Sequence, residues 1–104
     1  MKKLAWIIDN DLVGGEDKGV MGPRNMDDAL VAELKESKKN GIRFQMWSDD
    51  NEHYYTGRIV VEGHAQDDTN LSEEFYAPLD HFGRPNAGCT MIKYKDAKGE
   101  WSVL

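Results

Sequence analysis

Ile42-Arg43-Phe44-Gln45-Met46-Trp47-Ser48, then Asp49-Asp50-Asn51-Glu52, then His53-Tyr54-Tyr55-Thr56-Gly57-Arg58-Ile59-Val60-Val61-Glu62 is the stretch that decides the fold. Ile42, Phe44 and Met46 recur at every second position, so they share one face of a half-buried strand, with Trp47 on the other. His53–Glu62 is rich in Tyr, Thr, Ile and Val, as strands are. Four polar residues between the two runs make a hairpin turn. The nucleus of the fold is therefore an antiparallel pair.

Upstream, Lys3–Ile8 is a short apolar run that suits a buried first strand. Asp11–Arg24 carries Gly14, Gly15, Gly19, Gly22 and Pro23, too many breakers for a helix or a regular strand, and is expected to be a long loop. Asn25–Lys39 is the clearest helix, with Asn25 as cap, Asp28 in the capping-box position, an apolar stripe of Met26, Leu30 and Leu34, and Gly41 as its stop. Downstream, Leu71–Leu79 reads as a short helix ending near Pro78, followed by a turn-rich stretch from His81 to Gly88. Thr90–Lys95 and Glu100–Leu104 form a last hairpin. The order β-α-β-β-α-β-β predicts an α+β fold: a mostly antiparallel sheet of four to five strands with one main helix packed on a face.

A chain of 104 residues is read as one domain, 1–104, large enough to bury a core that its ten aromatic residues enlarge. The lone Cys89 excludes an intramolecular disulfide. The apolar run after Lys2 and Lys3 ends at Asp9, shorter than a signal peptide's core or a membrane span, so the cytoplasm is the expected compartment and no membrane contact is expected. The net charge of −6 is unevenly spread. Residues 1–48 balance, whereas residues 49–83 set nine acids against Arg58 alone. Such a segment repels nucleic acids, and no direct nucleic-acid binding is expected.

Chemistry-bearing motifs are sparse. Asp49, Asp50 and Glu52 lack the glycine and distal glutamate of a calcium loop. His53, His64 and His81 are scattered, and one cysteine cannot build a structural zinc site, so neither metal nor cofactor is expected. Asp80, His81, Arg84 and Cys89 are close enough in sequence to suggest a thiol site, but Cys89 opens a strand and reads better as a small buried hydrophobe. Gly14-Gly15 and Gly22-Pro23-Arg24 are too sparse for a phosphate loop. Of the adjacent Tyr54 and Tyr55 one must face outward, and an exposed aromatic patch marks a partner site.

Tyr54-Tyr55-Thr56-Gly57-Arg58 and Pro78-Leu79-Asp80-His81-Phe82-Gly83-Arg84-Pro85-Asn86-Ala87-Gly88-Cys89-Thr90, with Gly22-Pro23-Arg24, resemble small proteins of bacteria and their phages. That group has no assigned activity, so the resemblance implies an intracellular, mobile-element-associated protein and transfers no catalytic residue. The expected function is a non-enzymatic acidic binding protein, such as a phage-encoded inhibitor, acting on a protein partner with a basic surface. Asp49, Asp50, Glu52, Tyr54, Tyr55, Asp67, Asp68, Glu73 and Glu74 are its expected contact residues. The alternative is a small enzyme or ligand-binding domain whose site lies between the Gly-rich loop 11–24 and the 81–89 turn.

Overall fold

A computed structural model describes residues 4–22, 28–37, 41–62, 73–96 and 98–104. Among these residues, six strands form one antiparallel sheet in the order β2-β1-β4-β3-β5-β6. They are β1 (Leu4–Asp11), β2 (Met21–Gly22), β3 (Ile42–Trp47), β4 (His53–Val61), β5 (Met91–Lys95) and β6 (Trp101–Val103). The hairpin of β3 and β4 forms at the sheet's centre, with Phe44 opposite Gly57 and Met46 opposite Tyr55. The α+β class is as the alternation predicts. The additional strand is β2, two residues of the Gly-rich loop that pair with Trp6 and Ile7.

One face of the sheet carries the core. Trp6, Ile8, Ile42, Phe44, Met46, Ile59, Val61, Ile92 and Tyr94 are buried there with Phe75, Leu79, Phe82 and Cys89 above them. The covering layer is not the helix α1 (Asp28–Glu36), whose one buried side chain is Leu34. It is the segment expected to be a short helix and a turn. A 3₁₀ turn at Glu73–Tyr76 runs into a π turn at Leu79–Gly83 and then the short helix α2 (Arg84–Ala87). The turn-rich reading of 81–88 is thus corrected: the backbone stays helical through Pro78, Gly83 and Pro85. Two of these breakers have helical uses. Gly83 approaches β3 so closely that a Cβ would lie 2.7 Å from Met46 Sδ. Pro85 occupies the first turn of α2, where a missing N–H costs nothing. Gly88, with φ of 70°, ends the run. Burying Phe75, Leu79 and Phe82 stabilises the fold by roughly 1.5–3 kcal/mol per side chain.

Helix α1 crosses the second face, over β1 and β4. Its anchor is Arg58, whose side chain is 5% exposed. Arg58 Nε and Nη2 donate to the two Asp9 carboxylate oxygens at 2.7 and 3.0 Å. Nη1 donates to the carbonyls of Leu34 and Ser37 at 3.1 and 2.7 Å. A buried guanidinium thus serves as the C-terminal cap of α1. The one base of segment 49–83 is thus buried inside the fold and paired with Asp9 of β1. The predicted cap at Asn25 and the lysines at 38 and 39 lie outside the described residues.

Candidate functional site

Two loops emerge at the end of the sheet where β1 stops and β4 starts, each wound around one oxygen-bearing side chain. After β1, Asp11 Oδ1 accepts from the N–H groups of Val13 and Gly14 at 2.9 and 3.1 Å, and Oδ2 accepts from Asp17 N–H at 3.0 Å. Burial raises the Asp11 pKa, and these N–H groups more than reverse it, so the carboxyl sits below its ordinary value. Leu12 N–H donates to the Tyr54 carbonyl and fixes the loop against β4. Between β3 and β4, the buried Ser48 hydroxyl accepts from the N–H groups of Asp50 and Glu52 at 3.2 and 3.3 Å. Asn51 adopts φ of 62°, which asparagine tolerates. Asp49, Asp50 and Glu52 are exposed.

A cleft of about 290 Å³ lies between the first loop and α2, lined by Asp11, Glu16, Asp17, Tyr54, Tyr55 and Asn86 among others. The chain thus brings together the Gly-rich loop and the 81–89 stretch, as the alternative reading required. The candidate catalytic residues do not come with them. Cys89 is fully buried, and burial pushes its thiol up to about 11, so it is protonated at neutral pH and inert as a nucleophile. Asp80 and Arg84 face each other at 3.5 Å on the surface, and His81 is exposed; none of the four lines the cleft.

Tyr55 is not an outward aromatic. Its ring is buried edge-on against Phe82, 4.9 Å between centroids, and its hydroxyl donates to Asp17 Oδ2 at 3.4 Å. Burial, then the charges of Asp11 and Asp17, push that hydroxyl up to about 12 and keep it a donor. Tyr54 is half-buried at the cleft wall. Glu74 is half-buried, the Glu73 backbone opens the 3₁₀ turn, and Asp67 and Asp68 lie outside the described residues. Trp47 is half-buried between two neighbours on the second face: His53 stacks on it at 4.7 Å and the Lys93 ammonium sits 4.4 Å from its ring centre.

Leu12, Val13, Glu16 and Asp17 were not legible as site residues. Leu12 and Val13 are 57% and 58% exposed at the start of a loop whose backbone is tied down. An aspartate followed by glycine three residues on is the signature of such a side-chain-closed turn. Among the described residues no three His, Cys, Asp or Glu side chains converge on a point where a metal could sit, and no helix is long and apolar enough to cross a membrane. No protein-family model, curated protein or solved structure matches the chain.

Proposed function

We propose that this chain is a small non-enzymatic binding protein of the cell interior, an inhibitor encoded by a phage or other mobile element, that meets a protein partner through its acidic end. The partner presents a basic surface. The observation that carries this reading is the pair Leu12 and Val13, held exposed by the Asp11 hydrogen bonds and accompanied by Glu16, Asp17, Asp49, Asp50 and Glu52 at the same end of the sheet. A single exposed leucine needs no account. Two adjacent apolar side chains on a preorganised loop lose little entropy when covered, which is what an interface anchor requires. The surrounding carboxylates form the polar rim that steers a cationic partner. The cleft beside them accepts one lysine or arginine side chain, with Asp17 and Glu16 as its counter-charges.

The mobile-element origin rests on the resemblance of residues 22–24, 54–58 and 78–90 alone. The alternative, a ligand-binding domain, draws support from the same cleft. Affinity capture from the native host separates the two. A stoichiometric protein held by the wild type and lost by the double variant Leu12→Ser, Val13→Ser is the expected result. A partner that the double variant retains, or a co-purified metabolite in place of a protein, would overturn the reading.

A further inference from the structure

On the second face of the sheet the charge changes sign. A groove of about 430 Å³ runs between α1 and the strands, lined by Lys18, Lys35, Arg43 and Thr56 over a floor of Ile7 and the Arg58–Asp9 pair. Arg58 is neutralised by Asp9, so the groove carries three further cations. Among the described residues no carboxylate lies within ion-pair distance of Lys18, Lys35 or Arg43. Lys35 has a structural use, because it complements the negative end of α1. Lys18 and Arg43 have no such use.

The sheet register sharpens the point. Arg43 stands directly opposite Arg58 on β4, and Asp9 meets the charge of Arg58 alone. Arg43 is exposed and has no ion pair among the described residues, so an anion seated above it would supply its counter-charge. The groove is also preformed: Gly19 N–H donates to the Ile8 carbonyl at 2.7 Å and Ile8 N–H to the Val20 carbonyl at 2.8 Å, which fixes the segment carrying Lys18. Its volume lies in the range of small-molecule sites. Guanidinium and ammonium groups lining one groove match the oxygens of a phosphate, and the exposed part of Ile7 supplies an apolar surface for the rest of the molecule.

We propose that this groove binds a small phosphorylated organic anion of nucleotide size, its phosphate held by Arg43, Lys18 and Lys35. A polymeric anion is disfavoured, since a chain of net charge −6 repels an extended row of phosphates more than one dianion. The site is independent of the acidic end, and a chain that captures no protein partner still binds the anion.

The test is calorimetric titration of the full chain with AMP and with inorganic pyrophosphate at low salt, on the wild type, Arg43→Gln, Lys18→Gln and, as a charge control on another surface, Arg84→Gln. The expected result is saturable binding of at least one probe, weakened about tenfold or more by Arg43→Gln, less by Lys18→Gln, and unchanged by Arg84→Gln. Without ligand, Arg43→Gln leaves the melting temperature nearly unchanged, because the exposed guanidinium has no ion pair among the described residues to lose. No saturable binding of either probe into the millimolar range overturns the proposal. So does equal weakening by Arg84→Gln, or a ligand-free melting temperature lowered by Arg43→Gln. Binding of a single-stranded oligonucleotide about a hundredfold tighter than AMP, on the same residues, would overturn it in favour of a polymer.

Discussion

One loop serves two surfaces of opposite charge. From Leu12 to Asp17 it lies at the acidic end, beside Tyr54 and the 49–52 turn; at Lys18 and Gly19 it lines the cationic groove. Asp17 and Lys18 are neighbours in the chain, yet the first accepts a hydrogen bond from Tyr55 and the second lines the groove together with Arg43. Charge summed along the sequence averages this away. Residues 1–48 carry zero net charge and supply both the acids of the cleft and all three further cations of the groove. What a surface presents depends on the side of the backbone from which each side chain leaves, and a block sum discards that information.

The contrast can be broken most severely at its shared support. Arg58→Met leaves Asp9 without its partner and the carbonyls of Leu34 and Ser37 without their donor, and should cost about 3–5 kcal/mol in urea denaturation. The double variant Asp9→Asn, Arg58→Met should recover part of that loss. Arg43, its cross-strand neighbour, should show nothing comparable, which separates an arginine that builds the groove from one that lines it.

Next in size is the acidic end itself. Glu16→Gln, Asp49→Asn, Asp50→Asn and Glu52→Gln together should slow association with a basic partner by about tenfold at low salt and leave the melting temperature nearly intact. Stopped-flow association across a salt series reads the effect. Equal rates for variant and wild type would leave these acids a solvated face.

Smaller is the effect of loosening the loop. Asp11→Ala removes the acceptor of three backbone N–H groups, and the exchange protection of the Val13, Gly14 and Asp17 amides should fall while the core stays protected. The same contacts depress the Asp11 pKa, so its contribution is fully present above the ordinary value of 3.8 and is lost as pH falls through the lower folded value. Amide exchange followed from pH 5 down to about pH 2 checks the sign.

The slightest effect belongs to His53, on the far side of the turn from the cleft. Burial lowers its pKa, Lys93 lowers it further, and its hydrogen bond to the Tyr55 carbonyl only partly opposes them. A folded pKa below 6.5 means that the unfolded chain binds the proton more readily. Stability should therefore slip as pH falls from 6.5 toward the folded value and be unaffected above it. His53→Gln should flatten that slope in denaturation measured between about pH 7 and pH 5.

The central hairpin was legible because Ile42, Phe44 and Met46 obey a strict period of two, and burial on one face enforces it. The covering layer was legible only as far as Leu79, where the expected short helix does form, and its continuation through Phe82 was not. Pro78, Gly83 and Pro85 read as breakers in a local window, and only the tight approach to Met46 explains the glycine. The site was legible in part. Asp49, Asp50 and Glu52 announce a polar turn, whereas Glu16 and Asp17 reach the same end only because the Asp11 carboxylate folds the loop back. Tyr54 and Tyr55 were both expected as contact residues, one of them facing outward; Tyr55 is buried and Tyr54 is half-buried against the core, next to a register shift between Met46 and Trp47 that no alternation reveals.

Arg58 also ties together parts of the chain that are far apart in sequence. Its guanidinium rides on β4, its carboxylate partner is 49 residues away on β1, and the Leu34 and Ser37 carbonyls that it caps are 24 and 21 residues away. The cap at the end of α1 therefore depends on β4 lying beside β1, where Asp9 holds the guanidinium in place. A peptide of residues 28–37 alone should be frayed, since short isolated helices are marginal in water. In the native protein the helix terminus and the middle of the sheet should open as one cooperative unit, and slow hydrogen exchange in one should report on the integrity of the other.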